Sequence, residues 1–265
     1  MRWLVTITLL LLFQWYGFQA LKTVTSNKWV WGIYFLVVLL IIGNLLLHTL
    51  VFERTPTMEP KFMYAIGFFI ALFVFQAVLS IALLAEDIIR IPFTIYNYFT
   101  KIPGQLRYLP SRRIFISQIA LGVAAIPLVS LLYGMYKGKY NFKVLKYTLE
   151  YDDLPEAFDG FTLTQISDIH SGSFDNVEQV NYGIDLISQQ QSDVVLFTGD
   201  LVNNKTEEVL PWIPHFCKIK APYGVYSILG NHDYGDYTRW DSPEEKTQNI
   251  KDLYQAHKDM GWDLL

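Results

Sequence analysis

The stretch that decides the fold is FTLTQISDIH, Phe161–His170, in which a short strand-like run ends directly on Asp168 and His170. Two further runs end in the same way: VVLFTGD, Val194–Asp200, and VYSILGNHD, Val225–Asp233. An extended chain puts residues i and i+2 on one side, so Asp168 and His170 can offer one ion a carboxylate oxygen and an imidazole nitrogen. Asp200 can then bridge to a second ion, to which Asn231 gives a neutral carbonyl oxygen. His232, next in sequence, is left to face a bound phosphate as acid or hydrogen-bond donor. Each segment alone reads as an ordinary turn or strand end. Three of them in fixed order, each after an apolar run, make half of a two-metal hydrolase site and point to phosphoryl chemistry.

Around these motifs the spacing alternates strand and helix. Phe161–Ile166, Val194–Phe197 and Val225–Leu229 read as strands. Val177–Ile187 is a helix by the three-and-four spacing of Val177, Val180, Ile184 and Ile187. Glu207–Ile219 is a helix interrupted by prolines, and Pro243–Met260 a charged helix. This order predicts an α/β layered sheet with the site at the carboxyl ends of its strands. Phe142–Tyr151 alternates apolar and polar residues and is expected as a further strand, entered through the Gly/Lys linker Lys137–Tyr140. Cys217, the one cysteine, excludes an internal disulfide and a thiolate cluster, and reads as a small packing residue.

The motifs D-x-H at Asp168–His170, G-D at Gly199–Asp200 and G-N-H-D at Gly230–Asp233 resemble those of the calcineurin-like metallophosphoesterases. The resemblance implies two divalent ions (Mn, Fe or Zn). Asp168 and His170 would hold the first, Asp200 would bridge both, Asn231 would hold the second, and His232 would contact the scissile phosphate. The family pattern continues with a lone His and a G-H-x-H that have no counterpart before Leu265. His215 and His257 read as surface or half-buried side chains and not as ligands, so the chain is expected to be the N-terminal part of a longer protein.

Composition divides the chain. Up to Glu150 there are 14 Lys/Arg against 5 Asp/Glu, a net of +9; from Tyr151 there are 7 against 20, a net of −13. The acidic half has no basic stripe of the kind that tracks a phosphate backbone, and no nucleic-acid partner is expected. The basic half carries four apolar stretches, Trp3–Leu21, Trp29–Phe52, Phe62–Leu84 and Ile114–Met135. Each is close to the ~20 residues that cross a bilayer as a helix. Trp3, Trp29, Trp31, Tyr64 and Tyr133 near their ends suit the interfacial aromatic belt.

Loop charge sets the expected orientation. Arg90, Lys101, Arg107, Arg112 and Arg113 lie between the third and fourth stretches and assign that loop to the cytoplasm, which puts the metal domain on the external face. Lys137, Lys139, Lys143 and Lys146 beyond the fourth stretch count the other way. The segment Ser111–Ile116, SRRIFI, resembles a twin-arginine export signal and favours the external face; the other reading is a basic helix flank.

The sequence therefore predicts a four-helix transmembrane region over 1–136, a linker and first strand over 137–160, and the N-terminal part of a metallophosphoesterase domain over 161–265. The expected activity is hydrolysis of phosphomonoesters or phosphodiesters on a cell-envelope or lipid-linked substrate. Two alternatives stand beside it: a cytoplasm-facing pyrophosphatase of a nucleotide-linked lipid precursor, and a non-catalytic membrane sensor with the same fold.

Overall fold

A computed structural model describes residues 2–50, 60–100 and 110–265. The chain divides into two compact units, one within Met1–Phe52 and Tyr64–Gly138 and a second that contains Lys139–Leu265. Lys101 and Arg107, whose charge bears on the expected orientation, lie outside the described residues.

The first unit is helical: α1 (Arg2–Val24), α2 (Lys28–Leu50), α3 (Pro60–Thr100) and α4 (Pro110–Tyr136). Among the described residues, Lys28–Leu50, Pro60–Pro92 and Ser111–Tyr136 are long and apolar enough to cross a membrane. The third apolar stretch, expected to end at Leu84, continues as one helix to Thr100, through Pro92. Ala20, Leu79, Leu83, Ala120 and Ala124 form the packed seam of this unit. The pair read as a twin-arginine signal has a structural place here. Arg113 is buried and ion-paired with Glu86 and, at 3.0 Å, with Asp87, while Tyr16 donates to Asp87 at 2.6 Å. A charge withdrawn from water persists where it is paired and hydrogen-bonded, and this cluster meets that condition. Arg113 is thus a link between α3 and α4.

The second unit is a four-stranded parallel sheet in the order β1 (Leu163–Ile166), β2 (Val194–Phe197), β3 (Val225–Ser227) and β4 (Asp263–Leu264). α5 (Val177–Ser188) crosses from β1 to β2, and α7 (Pro243–Met260) from β3 to β4. The Glu207–Ile219 segment is not the single interrupted helix expected. It breaks into two 3-10 turns and the one-turn α6 (Ile213–Phe216), because Pro211 and Pro214 each remove an amide donor. α7 starts at Ser242, whose hydroxyl accepts from Glu245 N at 3.1 Å, and stops at Gly261, which takes the left-handed conformation. Phe197, Leu201, Val202, Val209, Ile219, Leu253 and Met260 make the core between sheet and helices.

Two expectations need correction. Phe142–Tyr151 forms no ladder among the described residues and is largely exposed, since alternation alone supplies no neighbouring strand to pair with. The Lys137–Tyr140 linker ends in the core: Tyr140 is buried, and its hydroxyl accepts from Asp175 N at 2.9 Å and donates to the Asp175 carboxylate at 2.8 Å.

Candidate metal centre

Register aligns the three motif loops. Ile166 pairs with Phe197 and Phe197 with Ser227, so β1, β2 and β3 end at one level and their loops leave the sheet side by side. Backbone bonds then zip the first two loops together: Asp168 N to Gly199 O and His170 N to Asp200 O, both 3.0 Å, and Ser171 N to Leu201 O at 2.9 Å. Closeness to the third loop depends on two glycines. A Cβ on Gly199 would run into the backbone of Gly230, and one on Gly230 would run into Asp200.

Asp168, His170 and Asp200 adopt φ values of 54°, 47° and 62°, a conformation that side chains other than glycine rarely take. Among the described residues only Gln191 joins them. Left-handed backbone at three candidate ligand positions marks a site where local strain is held by the surrounding fold.

The structure brings His170, Asp200 and His232 together, each offering a ligand atom within 4.8 Å of the others. His170 Nε2 lies 3.8 Å from Asp200 Oδ2 and 3.9 Å from Asp168 Oδ1. Those separations are too long for hydrogen bonds, yet an ion about 2.0–2.2 Å from each atom would span them. A set of imidazole nitrogens and carboxylate oxygens suits Mn, Fe or Zn, so the residues present fit the expected metal. Asp168 is exposed and accepts from Ser167 Oγ at 2.5 Å. Asn231 is also exposed, and its Nδ2 donates to Tyr237 Oη at 2.9 Å.

His232 is oriented from several sides. Its backbone N donates to Asp200 Oδ1 at 2.9 Å, and its ring Nδ1 lies 2.7 Å from the Asn203 carbonyl oxygen. A carbonyl can only accept, so Nδ1 carries the proton and Nε2 is the free ring atom. The ring sits edge-on to His170 with centroids 4.8 Å apart, and Tyr237 covers it at 4.6 Å.

Sequence reasoning missed the residue that ties the loops together. Asp233 is fully buried: Oδ2 accepts from Asp200 N and Gly230 N, both at 2.8 Å, and Oδ1 from Leu201 N at 2.8 Å and Val202 N at 3.2 Å. Burial pushes its carboxyl above the ordinary carboxylate range, against the downward pull of these four donors. The acidic fourth position after Gly-Asn-His was the available signal. His215 is half-buried, with Nδ1 2.9 Å from Asn181 Oδ1, as expected. His257 departs from expectation: it is fully buried between Phe197 and Trp262, away from water, and burial pulls its imidazole down to about 4.

Residues 1–139 match the family described as "Probable Calcineurin-like phosphoesterase, transmembrane domain", and residues 161–262 match "Calcineurin-like phosphoesterase". The chain belongs to the calcineurin-like phosphoesterases. It is 32% identical over 107 residues to "Uncharacterized metallophosphoesterase YkuE" of Bacillus subtilis, covering 40% of this chain and 37% of that protein. It is 28% identical over 109 residues to "Transmembrane protein with metallophosphoesterase domain" of Danio rerio, covering 41% and 25%. It is also 34% identical over 93 residues to "UDP-2,3-diacylglucosamine pyrophosphatase LpxG" of Chlamydia trachomatis, covering 34% and 28%. The chain thus spans well under half the length of these curated relatives, and no solved structure matches it. This phosphoesterase is a membrane protein: its family match includes a transmembrane domain, and its helices carry three candidate spans.

Proposed function

We propose that the protein hydrolyses phosphomonoesters or phosphodiesters with divalent metal ions held by the three loops. The observation that carries this reading is the convergence of His170, Asp200 and His232 from three aligned strand ends. Asp168 and His170 would hold one ion, Asp200 would bridge to a second, and Asn231 would hold that second ion through its carbonyl oxygen. When bound, the two ions supply Lewis-acid charge against the phosphoryl oxygens and activate water near neutral pH.

The chain's own part is positioning and proton transfer. With Nδ1–H committed to the Asn203 carbonyl, His232 presents Nε2 to the substrate. From there it can hydrogen-bond a phosphoryl oxygen or, when protonated, give its proton to the leaving oxygen. Tyr237 Oη accepts from the Asn231 amide nitrogen, which leaves the amide oxygen to serve as the ligand.

A lipid-linked phosphate ester is the substrate class favoured by the transmembrane domain, while the diacylglucosamine pyrophosphatase among the relatives favours the alternative, a pyrophosphatase of a nucleotide-linked lipid precursor. External placement of the catalytic domain rests on the basic residues between the third and fourth apolar stretches. A reporter active only outside the cytoplasm, fused after Tyr151, should then be active; activity only in a fusion near Lys101 would favour the cytoplasm-facing pyrophosphatase. Catalysis is tested in the full natural protein with chromogenic phosphoesters. Turnover should require Mn, Fe or Zn, and His232→Ala should lower kcat by roughly 10²–10⁴. Unchanged kcat in that variant would remove His232 from the mechanism.

A further inference from the structure

Glu208 lies in the 3-10 turn Thr206–Glu208, after the second motif loop, and is 6% exposed. Its Oε2 accepts from Asn203 N at 2.5 Å and from Asn204 N at 3.3 Å. The Asn204 N–H belongs to the same peptide group as the Asn203 carbonyl, which takes the proton of His232 Nδ1 at 2.7 Å. A continuous relay therefore runs from a buried carboxylate, through one peptide unit, to the imidazole that faces the substrate. The first motif loop is shaped to admit this carboxylate: a Cβ on Gly172 would meet Glu208 Oε2 at 2.5 Å and Asn203 Nδ2 at 2.8 Å. Burial raises the Glu208 carboxyl above its ordinary range, and the amide donors and His170 pull it back.

Residues 205 and 206 are anchored independently of this carboxylate. Thr206 N donates to Asn249 Oδ1 at 2.8 Å, Thr206 Oγ1 donates to Asn249 O at 2.7 Å, and Lys205 pairs with Glu245 at 3.0 Å. What Glu208 adds is the orientation and polarisation of the Asn203–Asn204 peptide, because hydrogen bonds in a chain strengthen one another in a low-dielectric interior.

We propose that Glu208 is a positioning residue for phosphoester hydrolysis, acting through the Asn203–Asn204 peptide to hold the His232 Nδ1–H and aim Nε2 at the leaving oxygen. This rests on the role of His232 given above. Outer-shell partners of this kind typically contribute about 10–100-fold to activity.

The test uses the full natural protein with its metals and two phosphoesters, one with an alkyl and one with a p-nitrophenyl leaving group. Glu208→Gln keeps an acceptor oxygen and should fold, retain metal, and lose roughly 10-fold in kcat on the alkyl ester at unchanged KM. The loss on the p-nitrophenyl ester, which leaves without a proton, should be much smaller. Glu208→Ala should lose more, and ring-nitrogen resonances of labelled His232 should show a mixture of tautomers in place of Nδ1–H alone. In a His232→Ala background, Glu208→Gln should add nothing further. Equal losses on both esters, or the same loss in the His232→Ala background, would overturn the proposal. If His232→Ala discriminates between the esters and Glu208→Gln does not, only the Glu208 role fails. If His232→Ala itself does not discriminate, the acid role of His232 fails first.

Discussion

Replacing Asp233 by Asn probes how the site is assembled, because the change is nearly isosteric and alters only what the side chain can accept. In the native loop two carboxylate oxygens serve four buried backbone donors, Asp200 N and Gly230 N on one, Leu201 N and Val202 N on the other. An amide keeps one accepting oxygen and turns an NH₂ group toward the other pair of donors. Two charge-assisted hydrogen bonds at about 1.5–3 kcal/mol each are lost, offset in part because a neutral amide is easier to bury than a carboxylate. A net loss of about 2–4 kcal/mol follows, a large fraction of the 5–15 kcal/mol that holds a typical domain together. Hydrogen exchange on the full natural protein reads this directly. The amides of Asp200, Leu201, Val202 and Gly230 should lose protection by roughly two orders of magnitude or more, while amides of β2 change less. Metal content should fall with them, since Asp200 and Gly230 carry the loops that hold the ligands. Unchanged protection at these four amides would show that Asp233 does not hold the loops, and the account of loop assembly would be wrong.

Three further outcomes follow from single residues. Stability of the second unit should fall as pH drops from about 6.5 to 4: burial depresses His257 to about 4, so the unfolded chain binds a proton that the folded one refuses. The loss should reach about 2 kcal/mol at pH 5 and largely vanish in His257→Leu, as measured by denaturant titrations at several pH values. Gly199→Ala should cost at least about 2 kcal/mol and abolish metal binding, because φ of 100° is unsuited to alanine and the added Cβ meets Gly230; native metal content in this variant would contradict that. Tyr237→Phe should leave the melting temperature nearly unchanged and weaken affinity for one of two ions several-fold, because it removes the hydroxyl that holds Asn231. Isothermal titration of metal into the metal-free protein measures this, and equal affinities would exclude the role.

Much of the site was legible because each motif follows a short strand-like run, buried in β2 and β3 and more exposed in β1, and parallel strands deliver the residues after them to one edge. His170, Asp200 and His232, which the structure brings together, could be picked out from their sequence neighbours alone. Glu208 could not, since its partners are backbone amides, which no residue type reveals, and Asp233 was signalled only by the acidic position after Gly-Asn-His. Asp233 draws on donors some thirty positions back, and Glu208 acts on the loop just before it. His257 was misjudged because the charged residues of α7 dominate its composition. The stripe Leu253, Ala256, His257 and Met260, at spacings of three and four, was nonetheless present, and all four are buried. The opposite error occurred at Phe142–Tyr151, where alternation suggests a strand but no partner strand pairs with it among the described residues. In the helical unit the pairing of Arg113 with Glu86 and Asp87 joins residues of two helices, a relation that loop-charge counting does not address.

The central claim is that the three loops hold metal for phosphoester hydrolysis, and metal content measured alongside turnover on the same preparation of the full natural protein tests it most directly. Wild-type protein should carry two divalent ions per chain and lose turnover when they are chelated, and Asp200→Asn should lose both the ions and the turnover. Undiminished turnover in metal-stripped protein, or two tightly held ions in Asp200→Asn, would contradict the account.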